Sequence, residues 1–417
     1  MGVAVGFRSS LLLSLTVLGC AAPPPPGEAL RSSKARVTVA PDDATLSQVV
    51  RGNTQTALAL HRELVEGDDS LFFSPLSIQA VLGMAAGGAV GTTLDDFGLV
   101  LPLGDGFHRS MNHLDAELDS RGANSTGAEG EPFALSRINQ LFVDESQNVE
   151  AAYLDLLAEE YGAGVQRLKF RSDPSGTAKV INDWVSQSTN SRIPRLFSPD
   201  AFDSHTRVAL VNAMYFSAGW ATAFTSDDAL PFTHLDGAVT TVTMMRHPTL
   251  AAREFEDANV QIISVPYSGN ELSLRVVIPK TGYRAFEAAL TASQLEALFT
   301  QLNASRLDIS MPPFEMRSRR DLVPALKNLG LELPFSEDAD FSALTDLKPF
   351  FISTAVHEAW VEVSKSGTRA AAATGLLGAT RLSAPEVKRV VIDKPFLFFI
   401  VDDATGAVLF MGRYTRP

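Results

Sequence analysis

Helical patterns crowd the first half of this sequence and strand-like apolar runs the second, without the strict alternation that builds a parallel sheet, so the chain reads as an α+β fold. Two further observations point to one folded body. With 417 residues, 45% of them hydrophobic, the chain can bury a large core. No internal repeat and no linker interrupts residues 47–417. The formal net charge of −13 argues against broad electrostatic binding to nucleic acid or anionic lipid.

The elements follow in order. Residues 1–19 carry a lone Arg8 and then the apolar run "LLLSLTVLG", too short to span a bilayer and typical of the apolar part of an export signal. The stretch "VLGC", Val17 to Cys20, resembles a bacterial lipobox. That resemblance implies diacylation of the Cys20 thiol and anchoring at the cell envelope, or else release outside the cell if the signal is a plain one with an incidental cysteine. Ala21, rather than an aspartate, leans toward the outer membrane by the same resemblance. Cys20 is the sole cysteine, so no intramolecular disulfide can form and packing must supply the stability. Residues 20–46, "CAAPPPPGEALRSSKARVTVAPDDATL", lack apolar periodicity and are expected to form a disordered tether of partly polyproline character. The folded domain is then expected to begin near Ser47.

"VVRGNTQTALALHRELV" places Ala57, Leu60 and Leu64 on one helical face. "SLFFSPLSIQAVLGMAAGGA" is a short strand, a Ser-Pro break at Ser74 and Pro75, and a small-residue helix suited to burial all round. "DGFHRSMNHLDAELDSR" is amphipathic through Phe107, Met111, Leu114 and Leu118, and the turn-rich "RGANSTGAEGEP" follows as a loop. "SRINQLFVD" reads as a strand, and "VEAAYLDLLAEEYG" and "TAKVINDWVSQSTNSRI" as helices. Beyond Arg207 come "VALVNAMYF", "AVTTVTMMRH", "VQIISVPY", "LSLRVVIPK" and "RLDISMPPFEM" as strands. The chain closes with "FLFFIVDDATGAVLFMGRYT", two apolar runs joined by a hairpin turn.

Chemical motifs are scarce. There is no G-x-S-x-G elbow, P-loop, H-E-x-x-H or cysteine-based metal site, and the seven histidines lack ligand spacing. "HEAWV" carries Val361 where a second metal-ligating histidine would stand. No cofactor is implied. Ser74, Asn212 and His357 could converge as a serine hydrolase group, although a buried polar cluster more often serves as a hydrogen-bonded part of the core.

Seven stretches then resemble the serpin family in family order: "FFSPLSIQAVLGMAAGGAVGTT" from Phe72, "INDWVSQSTNSRIPRLF" from Ile181, "LVNAMYFSAGWATAF" from Leu210, "VPYSGNELSLRVVIPK" from Val265, "LGLELPFSEDADFSALT" from Leu329, "ISTAVHEAWVEVSKSGTRAAAAT" from Ile352 and "KPFLFFIVDDATGAVLFMGRYTRP" from Lys394. The resemblance implies a mixed central sheet with further sheets, a surrounding helical cluster and an exposed reactive-centre loop over about 365–388. It assigns Ser74, Ser77, Asn212 and His357 to a polar cluster beneath the sheet where strands must part, and Trp220 to the top of the same opening. It makes the protein an inhibitor and not an enzyme: a trypsin-like serine protease attacks the loop, which then inserts into the sheet and traps the protease in a covalent complex. A non-inhibitory carrier or chaperone, and the hydrolase built on Ser74 and His357, are the alternatives. A monomer is expected.

The stretch "GTRAAAATGLLGATRLS", residues 367–383, suits such insertion. In a strand, alternate side chains share a face. Thr368, Ala370, Ala372 and Thr374, then Leu376 and Gly378, would face inward and carry no charge; Arg369, Ala371 and Ala373 would face out. With Gly367 they form the loop hinge that the resemblance implies. A new strand of about a dozen residues gains two hydrogen-bond ladders, on the order of ten or more kcal/mol. The family's usual offset of fourteen residues from Gly367 falls on Arg381, so the resemblance implies a scissile bond between Arg381 and Leu382. A long cation there fits a pocket with a buried carboxylate; a shift of one residue would put Thr380 or Leu382 in its place. Lys365, Ser366 and Arg369 depart from the acidic residues common in inhibitory members, and Lys365 and Arg369 are expected to stay in solvent. Arg109 and Arg121 are offset by Asp115, Glu117 and Asp119, which argues against a heparin-like polyanion as activator.

Overall fold

Asp42 opens the first long helix: its carboxylate accepts from the Thr45 N–H at 2.9 Å, and α1 (Asp43–Leu64) follows. The computed structural model describes residues 23–123, 133–365 and 387–417. Ahead of α1 lies β1 (Glu28–Leu30), and after it β2 (Leu71–Phe73). At the Ser-Pro break, Ser74 is extended and its hydroxyl accepts from the Ser77 N–H at 3.2 Å. Pro75 takes the first helical position, where a missing N–H leaves nothing unpaired, and starts α2 (Pro75–Ala86). As its largely apolar, small-residue surface requires, α2 is buried along almost its whole length.

Next come α3 (Gly91–Phe97), α4 (Phe107–Ser120), β3 (Ala134–Asp144), α5 (Ala151–Tyr161), β4 (Val165–Leu168) and α6 (Pro174–Ser188). Strands then dominate, through β5 (Val208–Ser217), β6 (Ser226–Thr233), β7 (Val239–Glu256), β8 (Val260–Pro266) and β9 (Leu272–Pro279). Helices α7 (Tyr283–Ala289) and α8 (Ala292–Thr300) lead to β10 (Asn303–Met311), β11 (Phe314–Asp321) and α9 (Val323–Asn328). The chain ends with β12 (Thr354–Val363), β13 (Lys388–Val391), β14 (Phe396–Asp402) and β15 (Val408–Tyr414). The last two pair antiparallel across the turn after Asp402, the hairpin the sequence calls for.

One sheet has the order β1-β4-β3-β5-β12-β11; the other runs β13-β10-β7-β8-β9-β14-β15-β2, with β6 on β7. The fold is therefore α+β with mixed sheets. The centre of the first sheet, β5 and β12, is buried on both faces. Met214 and Phe216 of β5 and Ala359 and Val361 of β12 join the large core shared with α2 and the second sheet. Val211 and Ala213 point the other way, into a smaller core capped by Ile181 and Val185 of α6. Two-sided burial is why β5 reads as a nearly continuous apolar run.

The structure differs from the expectation of a disordered tether over residues 20–46. Within the part described, Trp184 Nε1 donates to the Pro23 carbonyl at 3.0 Å, and β1 adds antiparallel to the edge strand β4, from Glu28↔Arg167 to Leu30↔Val165. Gly27 makes the entry possible: it sits at φ +98°, and a Cβ there would lie 2.3 Å from the Arg167 carbonyl oxygen. Further along, Ser32 Oγ donates to Asp155 at 2.5 Å, Arg36 reaches Asn112 and Asp115, and Val37 N–H donates to the Glu159 carbonyl at 2.8 Å. The segment docks through its backbone and through charge pairing with α4 and α5, neither of which leaves an apolar period in sequence. The folded body thus starts well before Ser47.

Candidate functional site

The site is the seam between β5 and β12. These strands, more than a hundred residues apart in the chain, lie side by side and parallel, in register from Thr354↔Ala209 to Val361↔Phe216. Both are almost wholly buried, so the polar residues within them need partners. Asn139 of β3 faces Asn212 of β5, and Asn212 faces His357 of β12. A polar row therefore crosses the middle of the sheet, over the N-terminus of α2.

The row is tightly partnered. His357 Nε2 accepts from the Ser74 N–H at 2.9 Å, which leaves the proton on Nδ1 to donate to Asn212 Oδ1. Asn212 Nδ2 donates to the Ser77 carbonyl at 2.8 Å and to Ser77 Oγ at 2.6 Å. Ser77 Oγ also lies 2.9 Å from the side-chain amide of Asn139. Ser74 Oγ donates to the Leu409 carbonyl of β15 at 2.6 Å, tying the cluster to the second sheet. Ser74, Asn212 and His357 are fully buried. Burial pushes the His357 imidazole down to about 3, so it stays neutral.

The Ser74, Ser77, Asn212 and His357 of the sequence reading thus meet in one network. The hydrolase arrangement does not form: the Ser74 hydroxyl donates to a carbonyl, and His357 contacts the Ser74 backbone instead of its Oγ. A nucleophile needs its base on the hydroxyl and a path to substrate; this serine has neither.

On the opposite face, the Tyr215 and Trp360 rings meet across the same seam at 5.3 Å, with the Arg192 guanidinium 4.6 Å from the Trp360 ring centre. Beside them, burial raises the Glu358 carboxyl while Arg317 opposes the shift. At the upper end of the seam Trp220 stacks on Tyr267 at 4.6 Å and donates through Nε1 to the Ser364 carbonyl at 2.9 Å. Phe224 N–H donates to the Lys365 carbonyl at 2.7 Å. Lys365 is exposed as expected, but its Nζ is paired with Asp227 at 2.7 Å. Trp220 therefore belongs to the seam's mouth, apart from the central cluster.

Sequence reasoning missed Asn139 and Asp227. Asn139 lies in a strand of mixed polarity, where one more amide carries no signal; its importance comes from register with Asn212. Cys20 and the hinge and bond residues Gly367, Thr368, Arg369, Ala370, Ala371, Ala372, Ala373, Thr374, Arg381 and Leu382 lie outside the described residues.

A two-sheet α+β scaffold with a buried polar row across one parallel seam, and a segment joining the strand at that seam to the other sheet, defines the class of protein. The model of the family described as "Serpin (serine protease inhibitor)" matches residues 51–417. Leukocyte elastase inhibitor A of Mus musculus is 32% identical over 388 residues, covering 89% of this chain and 100% of its own length. A serpin-like protein of Thermococcus kodakarensis is 31% identical over 377 residues, covering 88% of this chain and 86% of its own. Among solved structures, the thermophilic serpin tengpin in its native state superposes with a TM-score of 0.81 at 23% identity, over 94% of this chain and 100% of that one, a likeness of fold. The chain belongs to the serpin family, many members of which inhibit serine proteases.

Proposed function

We propose that this serpin is a suicide-substrate inhibitor of trypsin-like serine proteases, cleaved between Arg381 and Leu382, with residues 367–380 entering the sheet between β5 and β12. The observation that carries the reading is the direct parallel pairing of β5 and β12. A strand coming off the end of β12 and folding back would run antiparallel to both, exchanging one parallel ladder for two antiparallel ones, which are slightly stronger per residue. The loop has the reach: it spans from Lys365 at the seam's mouth to Lys388 at the start of β13 in the second sheet. A cation at position 381 suits proteases whose specificity pocket holds a carboxylate. The lipobox-like "VLGC" supports anchoring by diacylated Cys20 at the envelope, on the outer membrane.

Incubation with trypsin tests the inhibitor reading. A covalent complex that survives denaturing electrophoresis is expected, and Arg381→Ala should abolish it while leaving the fold intact. Clean cleavage at Arg381 with no complex would favour a carrier or chaperone instead. An unchanged complex with Arg381→Ala would move the reactive bond to a neighbouring residue.

A further inference from the structure

We infer that the docked segment running from Pro23 to Val37 sets how this protein stands on a membrane, with the pole opposite the reactive loop against the lipid and the loop directed into solvent. The inference rests on acylation of Cys20 and takes its geometry from the described chain. Glu28 pairs with Arg167, Arg167 with Val143, and Val143 with Val208. The Val208 carbonyl in turn accepts from Ser353, just before β12 begins. Glu28 therefore lies in the row where β12 starts. Pro23 is held to Trp184, whose ring meets Phe142 edge-on at 5.7 Å, one row away. The loop leaves after Lys365, at the far end of β12; from Thr354 that is ~35 Å at about 3.3 Å per residue.

Only Ala21 and Ala22 separate Cys20 from Pro23, so the lipidated residue can lie no more than roughly 11 Å from the pinned Pro23. Were residues 20–42 free, a flexible chain of that length would have a root-mean-square reach of roughly 25 Å, letting the domain roll until either pole met the surface. Docking removes that freedom. Its grip is spread over the β1–β4 ladder, Ser32 on Asp155, Lys34 on Asp155 and Glu159, and Arg36 on Asn112 and Asp115. A protease would then meet the loop from the solvent side, clear of the headgroups.

The test uses natively acylated protein extracted from the envelope and reconstituted into vesicles carrying an acceptor-labelled lipid. Acylation consumes the Cys20 thiol, so one engineered cysteine can carry the donor: Ser204→Cys, exposed shortly before β5 at the lower pole, or Thr222→Cys, exposed beside Trp220 at the upper pole. Energy transfer to the lipid should be several-fold stronger from position 204 than from 222. Combining Gly27→Val with Arg36→Ala should bring the two signals together, because the freed segment becomes a long tether. Equal transfer from both positions in the otherwise unaltered protein, or persistence of the difference in the undocked variant, would overturn the inference. Mass spectrometry of the same extract separates the underlying premise: if Cys20 carries no diacylglycerol, the anchor reading fails and the orientation with it.

Discussion

His357 is held neutral by its surroundings on all sides. Nε2 is committed to the Ser74 N–H and Nδ1–H to Asn212, and among the described residues burial alone sets the shift. In the unfolded chain the imidazole titrates near its ordinary value of roughly 6.5, and in the fold near 3. A histidine with a depressed folded value contributes stability that is complete above the unfolded value and is lost as pH falls toward the folded one. Over that window the loss is about 1.4 kcal/mol per pH unit, or roughly 2 kcal/mol by pH 5. His61 and His108 shift downward as well, also by desolvation, so acid weakens the whole protein. The share belonging to His357 is isolated by comparison with His357→Gln. That variant should start less stable at pH 7.5, because the Ser74 N–H and Asn212 lose their fitted partner, yet lose less on going to pH 5. Urea-unfolding midpoints at the two pH values measure this; an identical acid loss in both proteins would remove His357 from the account. Asn212→Ala should act through the same row, leaving the buried His357 Nδ1–H without its acceptor at about 1–3 kcal/mol in the same urea measurement.

Among the elements, β6 holds a position that its sequence does not announce. Its consecutive aspartates hold the chain on either side of residues 366–386, the proposed reactive loop: Asp227 pairs with Lys365 at 2.7 Å, and Asp228 with Arg389 at 2.7 Å. Arg389 also binds Asp308, which Arg246 holds from the other side, and together the guanidinium groups bring the Asp308 carboxyl down to about 2. Lys388 adds contacts to Glu254 and Glu256 of β7. Strand β13 needs this help because it pairs with β10 over four residues only. Exposed ion pairs contribute little singly, but here they act at the two points where the chain must let go before a loop can insert uncleaved. Asp227→Lys should therefore hasten spontaneous loss of trypsin inhibition in the intact protein a few-fold, and Asp227→Lys combined with Lys365→Asp should restore the slow rate. High salt should speed the loss in the unaltered protein more than in the Asp228→Ala variant. Equal rates for all of these in low and high salt would leave the pairs without a role in holding the loop.

At the scale of the whole molecule, the parts legible in sequence were those whose signal is local. Asn212 is a polar interruption in a run otherwise apolar, and Ser74 announces itself by the proline after it; His357, next to Glu358 in a strand of mixed polarity, stood out through the family resemblance. The adjacency of β5 and β12 is not local: it comes from register between strands far apart in the chain, and the family resemblance alone pointed to it. The docking of residues 23–37 was hidden for the opposite reason, since its backbone ladder and surface charges bury no periodic apolar face. On the proposed mechanism, adjacency without an intervening strand would also give the molecule a lower-energy destination. Eight register pairs join β5 to β12, and insertion of residues 367–380 would exchange that ladder for two, a net gain of about one ladder. At roughly 1 kcal/mol per bond the gain is on the order of 10 kcal/mol. The polar row would have to be rebuilt around the new strand, and in the proposed register Thr368, Ala370, Ala372 and Thr374, all small or uncharged in sequence, would be the side chains that pass between Asn212 and His357. With an unfolding entropy of about 2 cal/mol/K per residue, a body of this size converts such a gain into a rise in Tm on the order of 10 °C or more. Cleavage after Arg381, followed by calorimetry of the nicked protein, should show that rise together with loss of inhibitory capacity. A nicked protein that melts where the intact one does would mean that β5 and β12 stay paired and that the seam is a finished sheet.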